Sequence, residues 1–312
     1  MCNMTEKETQ IRPFKVLVFG SLNLDHVYEV DHMAVPGETI ASKSFQTFCG
    51  GKGLNQAIAF AKAGAETYLA GKIGEDGEKL RKACENNGIY TDFLMKGKSL
   101  SGNAVIQVDR QGQNSIVLFG GSNQEQTEEE ICEVIRHFQE GDLLIFQNEV
   151  NGLDKIIEAA SARKMQLVFN PSPYRPELLS LELKKLSWLI LNEVEACQIT
   201  GKKSVEEILK RLRDICPLTG IVLTLGEEGA VCSLGEKIFW QECYPARTVD
   251  TTAAGDTFTG YFFTEYRKNG SIKKALDIAA KASSLAVSRK GAAESIPCRH
   301  KVITLEGKDK RV

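Results

Sequence analysis

The 312 residues are 42% hydrophobic and 26% charged, an ordinary globular balance able to bury a core as one large α/β domain or two smaller ones. A net charge of −2 with no basic block argues against nucleic acid or an anionic membrane as partner, and no apolar run approaches a membrane span. Nine cysteines with no Cys-x-x-Cys pair and four scattered histidines speak against a disulfide framework or a metal hydrolase, and the polar stretch from Met1 to Pro13 is unlike a secretory leader, so a cytoplasmic protein acting on small molecules is expected.

Lys15 to Phe19 is a short apolar run ending at Gly20, the pattern of a strand buried on both faces. Ser21, Leu22, Asn23, Leu24 and Asp25 follow it. Parallel α/β sheets bind ligands beyond the carboxyl ends of their strands, so Asn23 and Asp25 stand where polar side chains hold a substrate. Plain turn chemistry explains the same residues. From Val27 to Phe48 the pattern changes to two half-exposed strands, broken at Pro36-Gly37, with Thr39 and Ala41 in the second. A second pair, 103–108 and 115–119, is joined by Asp109 to Gly112, and the two pairs together make a small lid on the main sheet.

Cys49-Gly50-Gly51-Lys52-Gly53-Leu54-Asn55 then runs into a helix over Gln56 to Ala63. Three glycines around a lysine suggest close approach of a ligand to the backbone. A Walker-type phosphate loop is excluded, because Gly53 rather than Ser or Thr follows Lys52, and Gly97-Lys98-Ser99 has Asp92 where the first glycine belongs. Lys52 reads equally as a solvated loop charge and as a ligand contact.

The middle of the chain alternates apolar runs (68–73, 143–146, 167–169, 188–191, 221–225) with helical patterns (77–87, 128–138, 153–163, 204–215), the rhythm of a parallel sheet. Four successive runs end in polar residues: Gln147-Asn148-Glu149, Asn170-Pro171-Ser172-Pro173, Asn192 to Glu195, and Thr224 onward. One such end is a turn; four on the same edge of a sheet make an active-site rim. Asn192 and Glu195, three apart on a helix, suit a hydrated Mg²⁺, or else a helix cap with an acidic first turn. Thr224, Leu225, Gly226, Glu227, Glu228 and Gly229 suit a loop against a nucleotide, or a hairpin turn into 230–234. Glu149 can accept hydrogen bonds from sugar hydroxyls.

The stretch Asp250-Thr251-Thr252-Ala253-Ala254-Gly255-Asp256 precedes aromatic residues at helical spacing, so a helix starts near Gly255. Small residues there leave the first N–H groups uncovered, and those groups with the macrodipole stabilise an anion. Asp256 would be a base beside that anion, although a carboxylate is also a good N-terminal helix residue. A last helix, 272–287, is rich in Ala and Ser, and 305–312 is polar and frayed, like residues 1–13.

Gly-Gly-Lys-Gly-Leu-Asn at 50–55 and the 250–256 stretch together resemble the two motifs of the ribokinase (pfkB) family of sugar kinases, and the likeness extends over roughly Val16 to Pro297. The resemblance implies a three-layer α/β/α fold with a mostly parallel central sheet and a small antiparallel β lid: one kinase domain over 14–300, its lid at about 25–49 and 102–120. It implies transfer of the γ-phosphoryl group of ATP to a sugar, as in the ribose-phosphorylating members. Asp256 would be the base, with the N–H groups of Ala254, Gly255 and Asp256 as the anion hole and Ala253 beside them in the catalytic loop. Sugar would meet Asn23, Leu24, Asp25, Gly51, Lys52, Gly53, Asn55 and Glu149, and ATP would meet Asn192, residues 224–229 and Ala280. A monovalent cation, K⁺, would take oxygens of Asp250, Thr252, Ala286, Arg289, Gly291 and Ser295, with Mg²⁺ near Asn192 and Glu195. A homodimer through the lid is also implied. Two departures stand out: Ala280, where relatives carry Asn or His beside the adenine, and Tyr261, where a small residue is usual. Rival readings are the same fold acting on deoxyribose, fructose or a nucleoside, and a non-catalytic sugar-binding regulator. A Rossmann dehydrogenase lacks its glycine fingerprint.

Overall fold

The computed structural model describes residues 13–305, so the expected frayed ends lie outside it except for Pro13 and Leu305. The first strand, β1 (Lys15–Phe19), alternates: Val16 and Val18 face one core, Leu17 and Phe19 the other, all 0% exposed. That two-sided burial puts β1 in the middle of a sheet with helices on both faces. β2 (Asn23–Glu29) and β3 (Ser44–Gly50) lead into α1 (Lys52–Lys62), β4 (Glu66–Ile73), α2 (Glu78–Asn86) and β5 (Leu94–Lys96). β6 (Gly102–Val108) and β7 (Asn114–Phe119) follow, then α3 (Glu128–Arg136), β8 (Leu143–Gln147), α4 (Leu153–Ala162), β9 (Gln166–Asn170), β10 (Trp188–Asn192) and α5 (Glu193–Thr200). The chain continues with α6 (Val205–Ile215), β11 (Gly220–Thr224), β12 (Ala230–Leu234), β13 (Lys237–Gln241), α7 (Ala254–Asn269), α8 (Ile272–Val287) and the short α9 (Arg299–Ile303).

Nine strands form the main sheet in the order β13-β12-β11-β10-β9-β8-β1-β4-β5. All pairings from β5 to β11 are parallel, and β12 and β13 add an antiparallel edge. One face is covered by α1, α2, α7 and α8, the other by α3, α4, α5 and α6, as their buried residues divide between the two cores. The three-layer α/β/α expectation is met.

The segments expected to form the lid make a separate four-stranded sheet, β3-β2-β6-β7. Its outer pairs are antiparallel, but β2 and β6 run parallel in the middle, a join that hairpin reading of the sequence does not foresee. Two boundaries also move. β2 begins at Asn23, so Asn23 and Asp25 lie on a lid strand and not in a turn. Thr39 and Ala41 lie in the β2–β3 loop, because pairing starts only at Glu29 opposite Ser44.

Helix α7 is fixed from two sides. Trp188 of β10 meets Phe262, Phe263 and Tyr266 edge-on, with centroids 5.9, 5.6 and 5.1 Å away. On its other flank Gly260 touches α1 so closely that a Cβ there would lie 2.5 Å from the Ala59 Cβ. Tyr261 does not crowd the helix: it is fully buried and its hydroxyl donates to the Pro297 carbonyl at 2.6 Å. The α1–α7 contact is what brings residues 55 and 56 beside residue 256.

Candidate active site

The chain leaves β1 towards β4 and β5 on one side and later returns through β8 on the other, so the strand order reverses between β1 and β8. Such a switch point opens a crevice beyond the strand ends. Two helix N-termini meet there, those of α1 and α7, and their backbone accounting differs.

At α1 the first three N–H groups are satisfied. Lys52 N–H donates to Glu149 Oε2 at 3.1 Å, Gly53 N–H to the Ser21 hydroxyl at 3.3 Å, and Leu54 N–H to the Ser21 carbonyl at 2.9 Å. Ser21 also donates its hydroxyl to the same Glu149 oxygen. Gly51, the residue before the helix, offers no side-chain cap, so the cap comes from two distant residues. This corrects the reading of the loop's glycines as room for a ligand in part. At Gly53 the close neighbour is the protein itself, since a Cβ would sit 2.4 Å from the Ser21 nitrogen. Lys52 points at acids: burial works against its charge, but Asp256, Glu149 and Glu195 outweigh that and hold its pKa above the usual lysine value.

At α7 the first turn is open. Ala253 enters it with φ 59°, a left-handed conformation that costs an alanine about 1 kcal/mol or more and turns the chain sharply. Ala254 N–H donates to the Thr251 carbonyl at 3.2 Å and Thr257 N–H to that of Ala253 at 2.8 Å. Gly255 and Asp256 N–H find no acceptor among the described residues, so of the three donors expected to form an anion hole only these two are free. The Ser283 hydroxyl of α8 donates to the Ala254 carbonyl at 2.9 Å and steadies the turn. A Cβ on Gly255 would meet nothing within 4 Å, so the space in front of this turn is free.

Asp256 is 8% exposed and accepts two amide donors, Asn55 Nδ2 on Oδ2 at 3.3 Å and Gln56 Nε2 on Oδ1 at 2.9 Å. The Asn55 Oδ1 is buried without a partner, a spare acceptor beside the carboxylate and a fit for a hydroxyl. A carboxylate, a spare amide acceptor, a lysine and two free N–H groups can together deprotonate an alcohol beside an anion.

The lid supplies Asn23 and Asp25. Asn23 is buried, and its Oδ1 accepts from Asn123 Nδ2 at 2.8 Å, while Asn123 Oδ1 accepts from Leu22 N–H at 3.0 Å. Burial, then the charges of Glu149 and Glu294, raise the Asp25 pKa from 3.8 to about 7. Leu24 is 8% exposed and packs into the core.

On the far side, Asn192 and Glu195 form a reciprocal capping box: Glu195 N–H donates to Asn192 Oδ1 at 2.9 Å and Asn192 N–H to Glu195 Oε2 at 3.0 Å. One oxygen of each thus serves the helix, as the cap reading of this pair expects, and a hydrated Mg²⁺ would have to meet the pair through water. Thr224 ends β11, and Gly226, Glu227 and Glu228 make a single turn closed by Leu225 N–H on the Gly229 carbonyl at 2.8 Å. Gly229 is required by the sheet, because a Cβ would lie 2.0 Å from the Gln241 carbonyl oxygen. Ala280 is buried on α8.

Asp250 draws two loops together. Its Oδ1 accepts from the Thr252 N–H at 2.9 Å and hydroxyl at 2.6 Å, and its Oδ2 from the Gly291 N–H at 2.9 Å. Burial opposes its charge, but these donors and Lys290 prevail and hold its pKa below the usual aspartate range. The Ala286 carbonyl accepts from Arg289 N–H at 3.1 Å, and Ser295 turns its hydroxyl to the Ala292 carbonyl at 2.8 Å. Carboxylate, hydroxyl and main-chain carbonyls make an oxygen-only donor set, which fits a hard monovalent cation.

Ser21, Gln56, Asn123, Gln147 and Ser283 were not singled out from the sequence. Ser21 and Gln147 had a signal, their place at strand ends. Gln56, Asn123 and Ser283 had none.

The model of the pfkB family carbohydrate kinases matches residues 13–299. A ribokinase of Staphylococcus aureus is 35% identical over 302 residues, covering 92% of this chain and 98% of that one. A ribokinase of Haemophilus influenzae is 33% identical over 296 residues, covering 92% and 96%. The structure of Arabidopsis thaliana ribokinase complexed with ribose and ATP superposes with a TM-score of 0.84 at 31% identity, covering 94% of this chain and 99% of that one. The chain belongs to the pfkB family of carbohydrate kinases.

Proposed function

We propose that the protein transfers the γ-phosphoryl group of ATP to the terminal hydroxyl of D-ribose, giving ribose 5-phosphate and ADP. The carrying observation is the Asp256 carboxylate held by Asn55 and Gln56 beside two N–H groups with no acceptor among the described residues. The ribose and ATP named for the Arabidopsis relative support the choice of substrates. Asn23, Asp25, Lys52, Asn55 and Glu149 hold the sugar, and the lid strands 23–50 and 102–119 close over it. Asp256 takes the hydroxyl proton, the freed oxygen bonds to phosphorus, and the bond to ADP breaks. Gly255 and Asp256 N–H groups and the Lys52 ammonium face the charge on the phosphoryl group. Residues 224–229 and the small α8 face with Ala280 border the nucleotide.

Magnesium, when bound, would supply charge neutralisation on the phosphates, and Asn192 and Glu195 would hold it through water. Asp250 and oxygens of the 286–295 loop would hold potassium, which would add positive potential near the α7 N-terminus. The lid leaves Phe45, Val105, Ile116, Val117 and Phe119 exposed, with β7 as an open edge, and we assign this surface to a homodimer. Eight free cysteines among the described residues suit a reducing cytoplasm. The test is ADP release with ribose, deoxyribose, fructose and nucleosides, each with K⁺ or Na⁺. Turnover fastest on ribose and raised by K⁺ supports the reading; turnover on another acceptor moves the specificity, and ribose binding without ADP release returns the regulator.

A further inference from the structure

Behind Asp256 lies a buried chain of two amides. Gln147, at the end of β8, donates Nε2 to Gln56 Oε1 at 2.6 Å, and Gln56, inside α1, donates Nε2 to Asp256 Oδ1 at 2.9 Å. Both glutamines are 0% exposed, so neither touches a substrate. Such polar groups in a core are costly unless they are paired, which makes their arrangement informative.

The polarity of this chain is set at one end. An ionised carboxylate only accepts, so Gln56 must turn its NH₂ towards Asp256. Its oxygen then faces Gln147, which must present NH₂ in turn. The remaining Gln147 oxygen is left without a partner. The absence of a side chain at residue 20 leaves it room: a Cβ on Gly20 would lie 2.3 Å from Gln147 Oε1. The other carboxylate oxygen, Oδ2, has only the longer 3.3 Å contact to Asn55 and is the one open to a proton.

We infer that Gln147 and Gln56 act as a positioning relay, fixing the rotation of the Asp256 carboxylate so that Oδ1 is tied back and Oδ2 faces the sugar hydroxyl. A misplacement of about 1 Å at a reacting group costs on the order of 100-fold in rate. The relay therefore acts on kcat and not on substrate binding. The proposal rests on Asp256 as the base.

The test uses the whole enzyme with Gln56→Met, Gln147→Met and the double variant, each close in volume and lacking the amide. Gln56→Met is expected to lower kcat roughly 10- to 100-fold with the sugar KM within about twofold. Gln147→Met, which does not touch Asp256, lowers kcat by a smaller factor in the same way, and the double variant is no worse than Gln56→Met alone. Should Gln56→Met not fold, Gln147→Met still carries the test. The relay is refuted by kcat within about twofold of the parent in both single variants, by losses that multiply in the double variant, or by a rise in KM in place of a fall in kcat. Asp256→Asn in the same assay separates the two claims. If it stays active, the base reading fails; if it is dead while Gln56→Met is normal, only the relay fails.

Discussion

Replacing Asp25 by Asn tests the electrostatics of the sugar pocket without touching the phosphoryl-transfer residues. Burial and the neighbouring Glu149 and Glu294 put the folded Asp25 pKa at about 7 against an ordinary 3.8. A raised carboxyl pKa means that the folded state favours the neutral form. The free enzyme therefore loses stability as pH rises from the ordinary value through about 7, and the loss is complete above it. At about 1.4 kcal/mol per pH unit between the two values, the cost is roughly 1 to 2 kcal/mol at pH 5 and about 4 kcal/mol at pH 8. The substituted amide carries no charge to desolvate. Urea unfolding of both proteins without ligands, at pH 5 and pH 8, should show Asp25→Asn gaining about 3 kcal/mol relative to the parent between the two conditions. Above pH 7, where Asp25 is an acceptor-only carboxylate, the same variant should also raise the sugar KM. A stability difference that is the same at both pH values, or that shrinks at pH 8, would mean that Asp25 is not held neutral by its surroundings.

Gly255→Leu projects into open space, so its melting temperature should equal or exceed the parent's while turnover falls at least about 100-fold, because the side chain fills the phosphate pocket. A normal rate would mean that the phosphate binds elsewhere. Ser21→Ala removes a donor to Glu149 and a cap on α1, and should cost about 1 kcal/mol in unfolding experiments and raise the sugar KM. Asp250→Ala releases Thr252 and Gly291 and should leave an enzyme that needs far more K⁺ for its remaining activity, read from a K⁺ titration of the rate. The Asp250 charge, held below the aspartate range, supports the fold at neutral pH, and that support fades only as pH falls through its lowered folded-state value.

Much of this was legible in the chain. Two-sided burial wrote Val16, Leu17, Val18 and Phe19 as an interior strand, and polar ends on successive apolar runs located the rim. The 250–256 stretch located the open helix turn, because small residues and a sharp entry are local properties. At Asn192 and Glu195 the local pattern was ambiguous, and the capping box took the oxygens first. The parallel β2–β6 join and the start of β2 at Asn23 depend on strand partners about 80 residues apart. Gln56 and Asn123 were silent for the same reason, and the strand-end place of Gln147 did not reveal its contact with Gln56. Their partners lie 91 to 200 residues away, and a buried glutamine in a helix looks like an exposed one until its neighbours are known.

The most direct measurement compares Asp256→Asn with the parent enzyme for ribose-dependent ADP release and, separately, for ribose binding by calorimetry. Retained binding is expected with a turnover lower by several orders of magnitude, beyond the roughly 100-fold that loss of a general base costs at the least. Near-normal turnover in that variant would contradict the base assignment, because the Asp256 carboxylate is the one placed beside the two open N–H groups of α7.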